Sequence, residues 1–250
     1  GRPAPSDRLA MGVIGCGSQG NSDLNMFLWK REVQVTDFCD PDRDRRIKTR
    51  DRVAEHYRDQ GGGAGAGLRE HNDFREVLAR GDVDLVLVAT PDHWHAPVVC
   101  AAARAGKDIY GEKPLSLTVR QGRTMSDTVG RYARVFQTGS WQRSVSQFRH
   151  AAMLVRNGRI GKVHTITCGL PGAGGIGPQP EMPLPEGFDY DLWLGPAPYA
   201  PYTEKRCHWN FRWISDYSGG ILTDWGAHHP DIAQWALDRD RSGPSEVWGR

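Results

Sequence analysis

The sequence feature that most constrains the fold is a glycine-rich turn between an apolar run and a helix-compatible segment. Residues 9–14 are apolar (LAMGVI), residues 15–20 read GCGSQG, and the following ten residues suit a helix. A GxGxxG motif alone is weak evidence, but a strand before it and a helix after it are the context of a dinucleotide-binding βαβ unit. A second apolar-alternating segment, residues 33–39, ends at Asp40, about 25 residues after the first glycine, near the spacing expected for the second strand.

The glycines of this turn each have a role that a side chain would prevent. Gly15 permits the tight turn, Gly17 leaves room for a pyrophosphate against bare backbone, and Gly20 lets the helix pack close to the strand. A phosphate then lies on the helix N-terminus, where free N–H groups and the helix dipole favour negative charge. The residues predicted to bind a cofactor here are Gly15, Gly17, Ser18, Gln19 and Gly20.

Asp40 indicates which dinucleotide the chain binds. Its carboxylate accepts hydrogen bonds from both ribose hydroxyls and repels a 2′-phosphate, so NAD is predicted over NADP. Arg43 and Arg45 follow closely and would attract a 2′-phosphate, so NADP stays open. A glycine turn that binds no ligand is the structural alternative.

Strands and helices continue to alternate after this unit. The glycine-rich residues 61–67 are predicted to be a flexible loop, and strands are predicted at 85–89, 108–110 and 135–137, with a helix at about 96–105. This alternation predicts a doubly wound parallel sheet. Ligands bind such sheets at the carboxyl ends of the strands, so the segments after those ends should converge on one cleft.

Lys113 lies in one of those segments, IYGEKPLS. The chain has six lysines and 26 arginines, so a lysine at this position is unlike the bulk of its basic residues. The lysine ammonium is compact, lies on a flexible stem and can donate a hydrogen bond to a substrate hydroxyl, and its pKa shifts with burial. The arginine guanidinium is larger and stays protonated. Pro114 fixes the local backbone, and a cis peptide bond is one option there. The alternative is a surface turn with an ordinary lysine.

The composition changes after residue 140. A helical pattern over residues 144–163 includes the C-cap signal Asn157-Gly158, residues 163–169 alternate as a strand, and residues 171–188 are rich in Pro and Gly. Aromatic residues then crowd together, and most of them are expected in the core. The predicted domains are a leader remnant at 1–8, a dinucleotide-binding domain at 9–140 and a second domain at 141–250.

The segment SGGILTDWGAHHPDIAQWAL supplies an acid and a base. Helical spacing places Asp224 and His228 on one face, with Asp231 three residues further on. Such a pair is often only structural, but beside a nicotinamide the imidazole becomes the general base that alcohol oxidation requires. The pairs His228/His229 and His93/His95 raise the question of a metal. Adjacent helical residues point about 100° apart, so no metal site is predicted.

Composition argues against several other functions. A net charge of +2 gives no strong electrostatic footprint, so no nucleic-acid partner is expected. The longest apolar runs are far shorter than the roughly 20 residues of a membrane span, so no membrane partner is expected. Five scattered cysteines predict reduced thiols.

Four segments together resemble a known family. GVIGCGSQGN, TPDHWHA, GEKPLSLT and GGILTDWGAHHPDIAQW, in this order, resemble the Gfo/Idh/MocA oxidoreductases, the family of glucose-fructose oxidoreductase and inositol 2-dehydrogenase. The resemblance implies a Rossmann domain followed by an α+β domain with an open, mostly antiparallel sheet that mediates homo-oligomerisation. Members usually extend beyond the point where this chain stops, so the sheet is expected to be truncated.

The resemblance also implies roles for individual residues. His228 takes the proton of a sugar hydroxyl, Lys113 hydrogen-bonds that oxygen, and Asp224 orients the substrate or the histidine. Further substrate contacts are expected from Arg143, Trp213 and Tyr217. The residues expected to line the cofactor beyond the glycine turn are Asp40, Thr90, Pro91, His93, His95, Glu112, Lys113 and Gln142.

These residues and motifs are compatible with three functions. The leading one is an NAD(P)-dependent oxidoreductase that transfers a hydride between nicotinamide and a secondary hydroxyl of a sugar, cyclitol or sugar derivative. A redox-neutral glycoside lyase or hydrolase that uses NAD for transient oxidation is the first alternative, and a non-catalytic nucleotide-binding regulator is the second. FDYDLWLGPAPYAPY resembles a bacterial branch whose members often carry twin-arginine signals, so periplasmic export is expected, with the cytoplasm as the alternative.

Overall fold

The computed structural model describes residues 7–61 and 67–249, and its first half is built on a six-stranded parallel sheet. The strands are β1 Leu9–Ile14, β2 Val33–Cys39, β3 Arg69–His71, β4 Leu85–Val88, β5 Asp108–Gly111 and β6 Phe136–Thr138. Their order in the sheet is β3-β2-β1-β4-β5-β6, and every neighbouring pair is parallel. This is the predicted doubly wound sheet, with the strand order reversing at β1.

Helices cover both faces of the sheet. These are α1 Ser18–Leu28, α2 Arg43–Asp59, α3 Phe74–Leu78, α4 Asp92–Arg104 and α5 Val119–Arg131. The second half contains α6 Ser146–Arg156, α7 Tyr190–Leu194, α8 Gly220–Asp224 and α9 His229–Ala236. Side chains of β4 alternate between two apolar clusters: Val86 and Val88 pack with α3, α4 and α5, and Leu87 packs with α1 and α2. Such burial on both faces explains the continuous apolar runs in the sequence. None of the helices in the described ranges is both long and apolar enough to cross a membrane.

The predicted strands at 9–14 and 33–39 are confirmed, and other boundaries differ. Helix α4 begins at Asp92, four residues earlier than predicted. Pro91 ends the strand segment with φ −59°, and the carboxylate of Asp92 lies in the first turn, where the helix dipole favours it. Strand β3 was not predicted, because it has only three residues, all polar, and therefore leaves no apolar run in the sequence. Most of the predicted glycine-rich loop, residues 62–66, lies outside the described residues.

The second half packs against α4 of the first. A third apolar cluster is formed by Phe188, Tyr190, Trp193, Leu194, Tyr202, Cys207 and Tyr217. The ring of His93 reaches it from α4, with Nε2 3.0 Å from the carbonyl oxygen of Trp193. Trp94 donates from Nε1 to the carbonyl oxygen of Leu192 over 3.0 Å. Of the six crowded aromatic residues in this part of the sequence, Trp193, Tyr202 and Tyr217 are core, whereas Tyr199 and Trp209 are mostly exposed and Trp213 is half-buried, so the expectation that most of them are core is met for only three.

The antiparallel sheet predicted for the second half is not formed by residues 141–249. The segment 163–169, predicted as a strand, is irregular and mostly exposed. A strand satisfies its backbone hydrogen bonds only through a neighbour. In this half the described residues offer one isolated antiparallel bridge, from Phe188 to Asp42 of the first half. The end of α6 does follow the prediction, with Asn157 as its C-cap and Gly158 at φ +68°.

Candidate active site

A cleft of about 730 Å³ lies at the carboxyl ends of the parallel strands, between the two halves of the chain. The first half contributes the segments that follow β1, β2, β4 and β5, as the fold predicts. The second half closes the other side with side chains from its two 3₁₀ helices, Trp141–Ser144 and His208–Trp213, and from the region of α8. The predicted site residues that line this cleft are Gly15, Gly17, Ser18, Gln19, Asp40, Thr90, Pro91, Glu112, Lys113, Gln142, Asp224 and His228.

The glycine turn is packed so tightly that side chains are excluded. Gly15 has φ +99°, and a Cβ there would lie 2.5 Å from the carbonyl oxygen of Ala89. A Cβ on Gly20 would lie 2.0 Å from the carbonyl oxygen of Gly15. Helix α1 starts from Gly17 without any side-chain cap, so its first N–H groups are left for a ligand. Gly20 itself does not line the cleft; it allows α1 to approach the turn.

Replacing Gly20 by Ala should therefore disturb the turn and the helix together. The added Cβ must displace backbone, and overpacking of this kind costs about 1–3 kcal/mol of stability. We expect a lower midpoint of urea unfolding and weakened binding of NADH, measured by the fluorescence of the bound nucleotide.

Gly130→Ala is the matched control for this substitution. Gly130 lies in α5, where a Cβ would meet nothing within 4 Å. Alanine in a helix is favoured over glycine by about 0.5–1 kcal/mol, so this variant should gain stability and bind NADH normally. Equal effects of the two substitutions would contradict the role of Gly20.

Asp40 is buried where β2 ends, and it ties the glycine turn to the start of α2. Its Oδ2 accepts from the backbone N–H of Cys16 over 2.8 Å, and its Oδ1 accepts from that of Asp42 over 2.9 Å. Burial raises the pKa of Asp40 to about 6, against the lowering effect of these two hydrogen bonds. Each carboxylate oxygen has a second lone pair, so Asp40 can still accept from a ribose hydroxyl.

Arg45 and His208 also line this end of the cleft, and neither was in the predicted site. The guanidinium of Arg45 lies 3.1 Å from where a Cβ of Gly17 would be, and it pairs with Asp42 at 3.3 Å. His208 comes from the second half, with Nε2 3.6 Å from the same carboxylate. Arg43 is not part of the cleft lining. Arg45 was considered from the sequence only as a residue that would attract a 2′-phosphate, and no local sequence signal identifies His208.

Lys113 and Asp224 meet in the middle of the cleft. The Lys113 ammonium forms an ion pair and hydrogen bond with Asp224 Oδ1, and Oδ2 accepts from Nε of Arg212 at 3.1 Å. Arg212 stacks over the ring of Trp209 at 4.1 Å. The carboxylate of Asp224 is thus fixed between two cations from different segments. The Lys113–Pro114 peptide bond is cis, one of the options considered from the sequence. Arg212 was not among the predicted residues.

His228 lines the same cleft and is 7% exposed. Burial first, and then the positive charge of Lys113, lower its pKa below the ordinary histidine value. Its Nδ1 is buried without a hydrogen-bond partner among the described residues. Its ring packs edge-on against Trp141 with 5.9 Å between centroids. An imidazole that stays uncharged at neutral pH is able to accept a proton.

The continuous helix predicted through Asp224, His228 and Asp231 is wrong. Helix α8 ends at Asp224 and α9 begins at His229, with a turn between them. Pro230 has no N–H to donate back along the chain, and its ring crowds the preceding turn, so a regular helix does not pass through this point. The break still leaves Asp224 and His228 in the cleft, whereas Asp231 pairs with Arg143.

Besides Gly20, five predicted site residues do not line the cleft, each for a structural reason. Arg143 donates from Nε and Nη2 to Asp231 over 2.7 Å each. Tyr217 is fully buried in the third cluster, with its ring against that of His93. His93 is itself buried there, and burial lowers its pKa to about 4. His95 lies behind the cleft wall, with Nδ1 2.6 Å from the carbonyl oxygen of Pro114 and Nε2 2.8 Å from that of Thr90. The fifth, Trp213, packs against Gly174.

The cleft residues fit a dinucleotide. Thr90 Oγ1 and Gln142 Oε1 are buried polar atoms that find no partner in the described parts of the chain, and both residues line the cleft. Buried polar atoms of this kind are normally hydrogen-bonded, so a polar ligand is the expected partner. The uncapped N-terminus of α1 offers contacts for phosphate, and Asp40 at the end of β2 offers contacts for ribose. Thr90 and Gln142 add polar contacts for the rest of the cofactor, including the nicotinamide.

Two sequence models of one family match the chain. Residues 9–140 match the Gfo/Idh/MocA model described as "Oxidoreductase family, NAD-binding Rossmann fold", and residues 174–248 match the one described as "Oxidoreductase family, C-terminal alpha/beta domain". The first match alone covers more than half of the 250 residues.

Individual relatives agree with these matches. Rhizopine catabolism protein MocA of Rhizobium meliloti is 26% identical over 161 residues, 64% of this chain and 46% of MocA. Glycosyl hydrolase family 109 protein 1 of Shewanella sp. (strain MR-4) is 34% identical over 131 residues, 51% of this chain and 28% of the relative. The chain therefore spans less than half the length of these two curated relatives.

A solved structure agrees in fold. GenD2 from gentamicin A biosynthesis, crystallised in complex with NAD, matches with a TM-score of 0.64 at 20% identity, over 95% of this chain and 56% of that one. At this identity the likeness shows the fold alone. The strand–glycine turn–helix unit, the parallel sheet order and the two family matches agree, and the chain belongs to the Gfo/Idh/MocA oxidoreductase family, with an NAD-binding Rossmann domain.

Proposed function

We propose that this protein is a dehydrogenase or reductase that transfers a hydride between a nicotinamide cofactor and a secondary hydroxyl of a sugar, cyclitol or sugar derivative. The observation that carries this proposal is the meeting of Lys113, Asp224 and His228 in the cleft at the carboxyl ends of the parallel strands. A fold alone supports many chemistries, so the proposal depends on these side chains.

Each of the three groups has a role in alcohol oxidation. His228 is held uncharged and accepts the proton of the hydroxyl as the C–O bond becomes a carbonyl. The Lys113 ammonium donates a hydrogen bond to that oxygen and stabilises the negative charge that develops on it. Asp224 holds the ammonium in place from the opposite side of the cleft. When bound, the nicotinamide accepts the hydride from the same carbon, so the alcohol loses one proton and one hydride.

The aromatic side chains in the cleft support a ring-shaped polyol as the substrate class. Trp141, Trp193, Trp209 and Trp225 line the cleft together with the charged groups. Apolar ring faces beside fixed polar groups suit the C–H faces and hydroxyls of a sugar or cyclitol.

Release of nucleotide from denatured protein is the first test of this proposal. We expect acid precipitation to release NAD into the supernatant, either NAD that the purified protein has retained or NAD that it has bound during an incubation before precipitation. The nucleotide is identified by its mass and, after enzymatic reduction, by the near-ultraviolet absorbance of NADH. A panel of sugars and cyclitols should then produce NADH. A protein that neither retains nor takes up NAD or NADP would refute the proposal.

A redox-neutral glycosidase is the second candidate, because glycosyl hydrolase family 109 protein 1 of Shewanella sp. (strain MR-4) is 34% identical to this chain over 131 residues. In such an enzyme the same base and ammonium would serve a transient oxidation, and the hydride would return to the sugar. Cleavage of a nitrophenyl glycoside without net NADH would select this candidate, and NADH accumulation from a free sugar would select the first. A non-catalytic regulator would give neither signal. The presence of Lys113, Asp224 and His228 together argues against this third function, because a regulator needs the glycine turn but no proton-transfer group.

Assembly and compartment are part of the same proposal. We infer that the protein acts as a homo-oligomer and is exported to the periplasm. The support is the sequence resemblance described above, and sedimentation together with cell fractionation would test both points.

A further inference from the structure

A second cavity of about 570 Å³ opens between α1 and α2, beside the glycine turn, and we call it the α1–α2 groove. Helix α2 lines it with three cations, Arg45, Lys48 and Arg52. Helix α1 lines it with small uncharged polar side chains, Ser18, Asn21, Ser22 and Asn25. No carboxylate of the described residues belongs to this lining. Such a surface is complementary to an anion with several hydrogen-bond acceptors.

The three cations of the groove are only partly neutralised. They follow one another along α2 at positions i, i+3 and i+7, so they share one face of the helix. Arg45 is paired with Asp42, with 3.3 Å between Nε and Oδ2. The guanidinium of Arg52 donates instead to uncharged groups, the side-chain oxygen of Asn25 and, over 2.7 Å, that of Asn21. Lys48 is exposed at the rim. The groove therefore keeps an excess of positive charge.

Hydrogen bonds hold the groove to the glycine turn. Asn21 Nδ2 donates to the carbonyl oxygen of Cys16 over 2.8 Å and to that of Gly17 over 3.0 Å. Its Oδ1 accepts from Arg52 of α2, so one amide side chain links the turn to the opposite helix. The cations are thus fixed relative to the backbone on which a pyrophosphate would lie, and less ordering is needed when a ligand binds.

The groove joins the main cleft at the end where ribose is expected. Gly17, Ser18 and Arg45 line both cavities. Cys16 lines the groove, and its N–H donates over 2.8 Å to Asp40, which lines the cleft. A ribose that hydrogen-bonds to Asp40 would therefore lie beside the opening between the two cavities. A substituent on its 2′-oxygen would have the groove next to it.

Asp40 taken alone predicts NAD, because a carboxylate repels a 2′-phosphate. In the structure both of its oxygens accept backbone N–H bonds, Oδ2 from Cys16 and Oδ1 from Asp42. The carboxylate of Asp42 is in turn paired with Arg45. Both carboxylates at this end of the cleft are thus engaged by donors of the protein, whereas Lys48 has no carboxylate beside it in the groove. The balance of charge at the opening favours an additional phosphate.

We propose that the α1–α2 groove receives the 2′-phosphate of NADP, held by Arg45, Lys48 and the hydroxyl of Ser18, so that the protein binds NADP at least as tightly as NAD in spite of Asp40. Hydrogen bonds from cationic groups to phosphate are shorter and stronger than those between neutral groups. The inference rests on the dinucleotide site of the proposed function, and it adds which nucleotide that site selects.

The test compares two probes that differ only in the 2′-phosphate. Isothermal titration of the unsubstituted protein should show adenosine 2′,5′-diphosphate binding at least about tenfold more tightly than 5′-AMP, the usual effect of one hydrogen bond to a charged group. Lys48→Gln should remove most of this preference and leave 5′-AMP unchanged, because Lys48 lines the groove and not the cleft. Glutamine suits an exposed helical position, so the variant should fold normally.

Two arginine variants complete the comparison. Arg45→Gln should also lose the preference. Arg43→Gln removes the same charge from the same helix, but Arg43 is exposed and lines neither cavity, so both affinities should stay as they are. Once a substrate is known, Lys48→Gln should raise KM for NADP and leave kcat and the KM for NAD unchanged.

Several results would overturn the inference. One is an unsubstituted protein that binds adenosine 2′,5′-diphosphate no more tightly than 5′-AMP, or NADP more weakly than NAD. Another is a preference that survives both Lys48→Gln and Arg45→Gln, and a third is an equal loss in Arg43→Gln, which would assign the effect to overall charge. Binding of NAD and 5′-AMP without any gain from the 2′-phosphate would refute this inference alone. A protein that binds none of these nucleotides would refute the proposed function as well.

Discussion

Lys113→Met should abolish most of the turnover while nucleotide binding persists. The thioether keeps the approximate length of the side chain but cannot donate to the substrate oxygen or stabilise the charge that develops on it. Loss of one such donor costs about 10²–10³-fold in kcat. The measurement is NADH formation with an active sugar or cyclitol, together with NADH binding followed by fluorescence. We expect the fold to survive, because Asp224 keeps its hydrogen bond from Arg212 at 3.1 Å.

Two further variants separate charge from geometry in this experiment. Lys113→Arg keeps a positive charge but places a larger planar group in the cleft, so it should also lose most activity. Lys30→Met removes an exposed lysine beyond the end of α1, outside the cleft lining, and should behave like the unsubstituted protein. Unchanged turnover in Lys113→Met would defeat the assignment of this residue.

The Rossmann half could be predicted from the sequence because its signals are local and strong. Strands β1 and β2 have the predicted bounds, since buried parallel strands leave apolar runs and the glycine turn marks the point where a strand gives way to a helix. Strand β3 was missed because three polar residues at an edge leave no such run. The strand predicted at 163–169 is not formed, because alternation describes a face to be buried and does not supply a neighbouring strand.

The site was predictable where motifs follow the ends of strands, and less so elsewhere. Lys113 and Asp40 lie in the cleft because the topology brings all carboxyl ends of a parallel sheet to one edge. Arg212 and His208 come from a 3₁₀ helix of the second half, and only tertiary packing brings them there. His93 does not line the cleft, since its ring packs between the two halves. Sequence motifs identify residues near a site but not the direction in which each side chain points.

His228→Asn should lower kcat by about 10²–10⁴-fold, the usual contribution of a general base. Asparagine keeps a polar group of similar size but cannot accept the proton at neutral pH. In the unsubstituted enzyme, kcat/KM for alcohol oxidation should rise with pH as His228 loses its proton and then level off. Burial and the charge of Lys113 lower the pKa of His228, so the midpoint of this rise should lie below the ordinary histidine value of about 6.5. His228→Asn should lose this rise.

The neighbouring histidine is the matched control for this pH profile. His229 does not line the cleft, and its Nδ1 lies 3.2 Å from the carbonyl oxygen of Trp225, so His229→Asn should keep both the rate and the rise. Lys113→Met adds a linked expectation, because removing its ammonium takes away a charge that lowers the pKa of His228. The rise in the residual activity of that variant should therefore move to higher pH. A profile in Lys113→Met that coincides with that of the unsubstituted enzyme would show that the ammonium and the imidazole do not act on each other in the cleft.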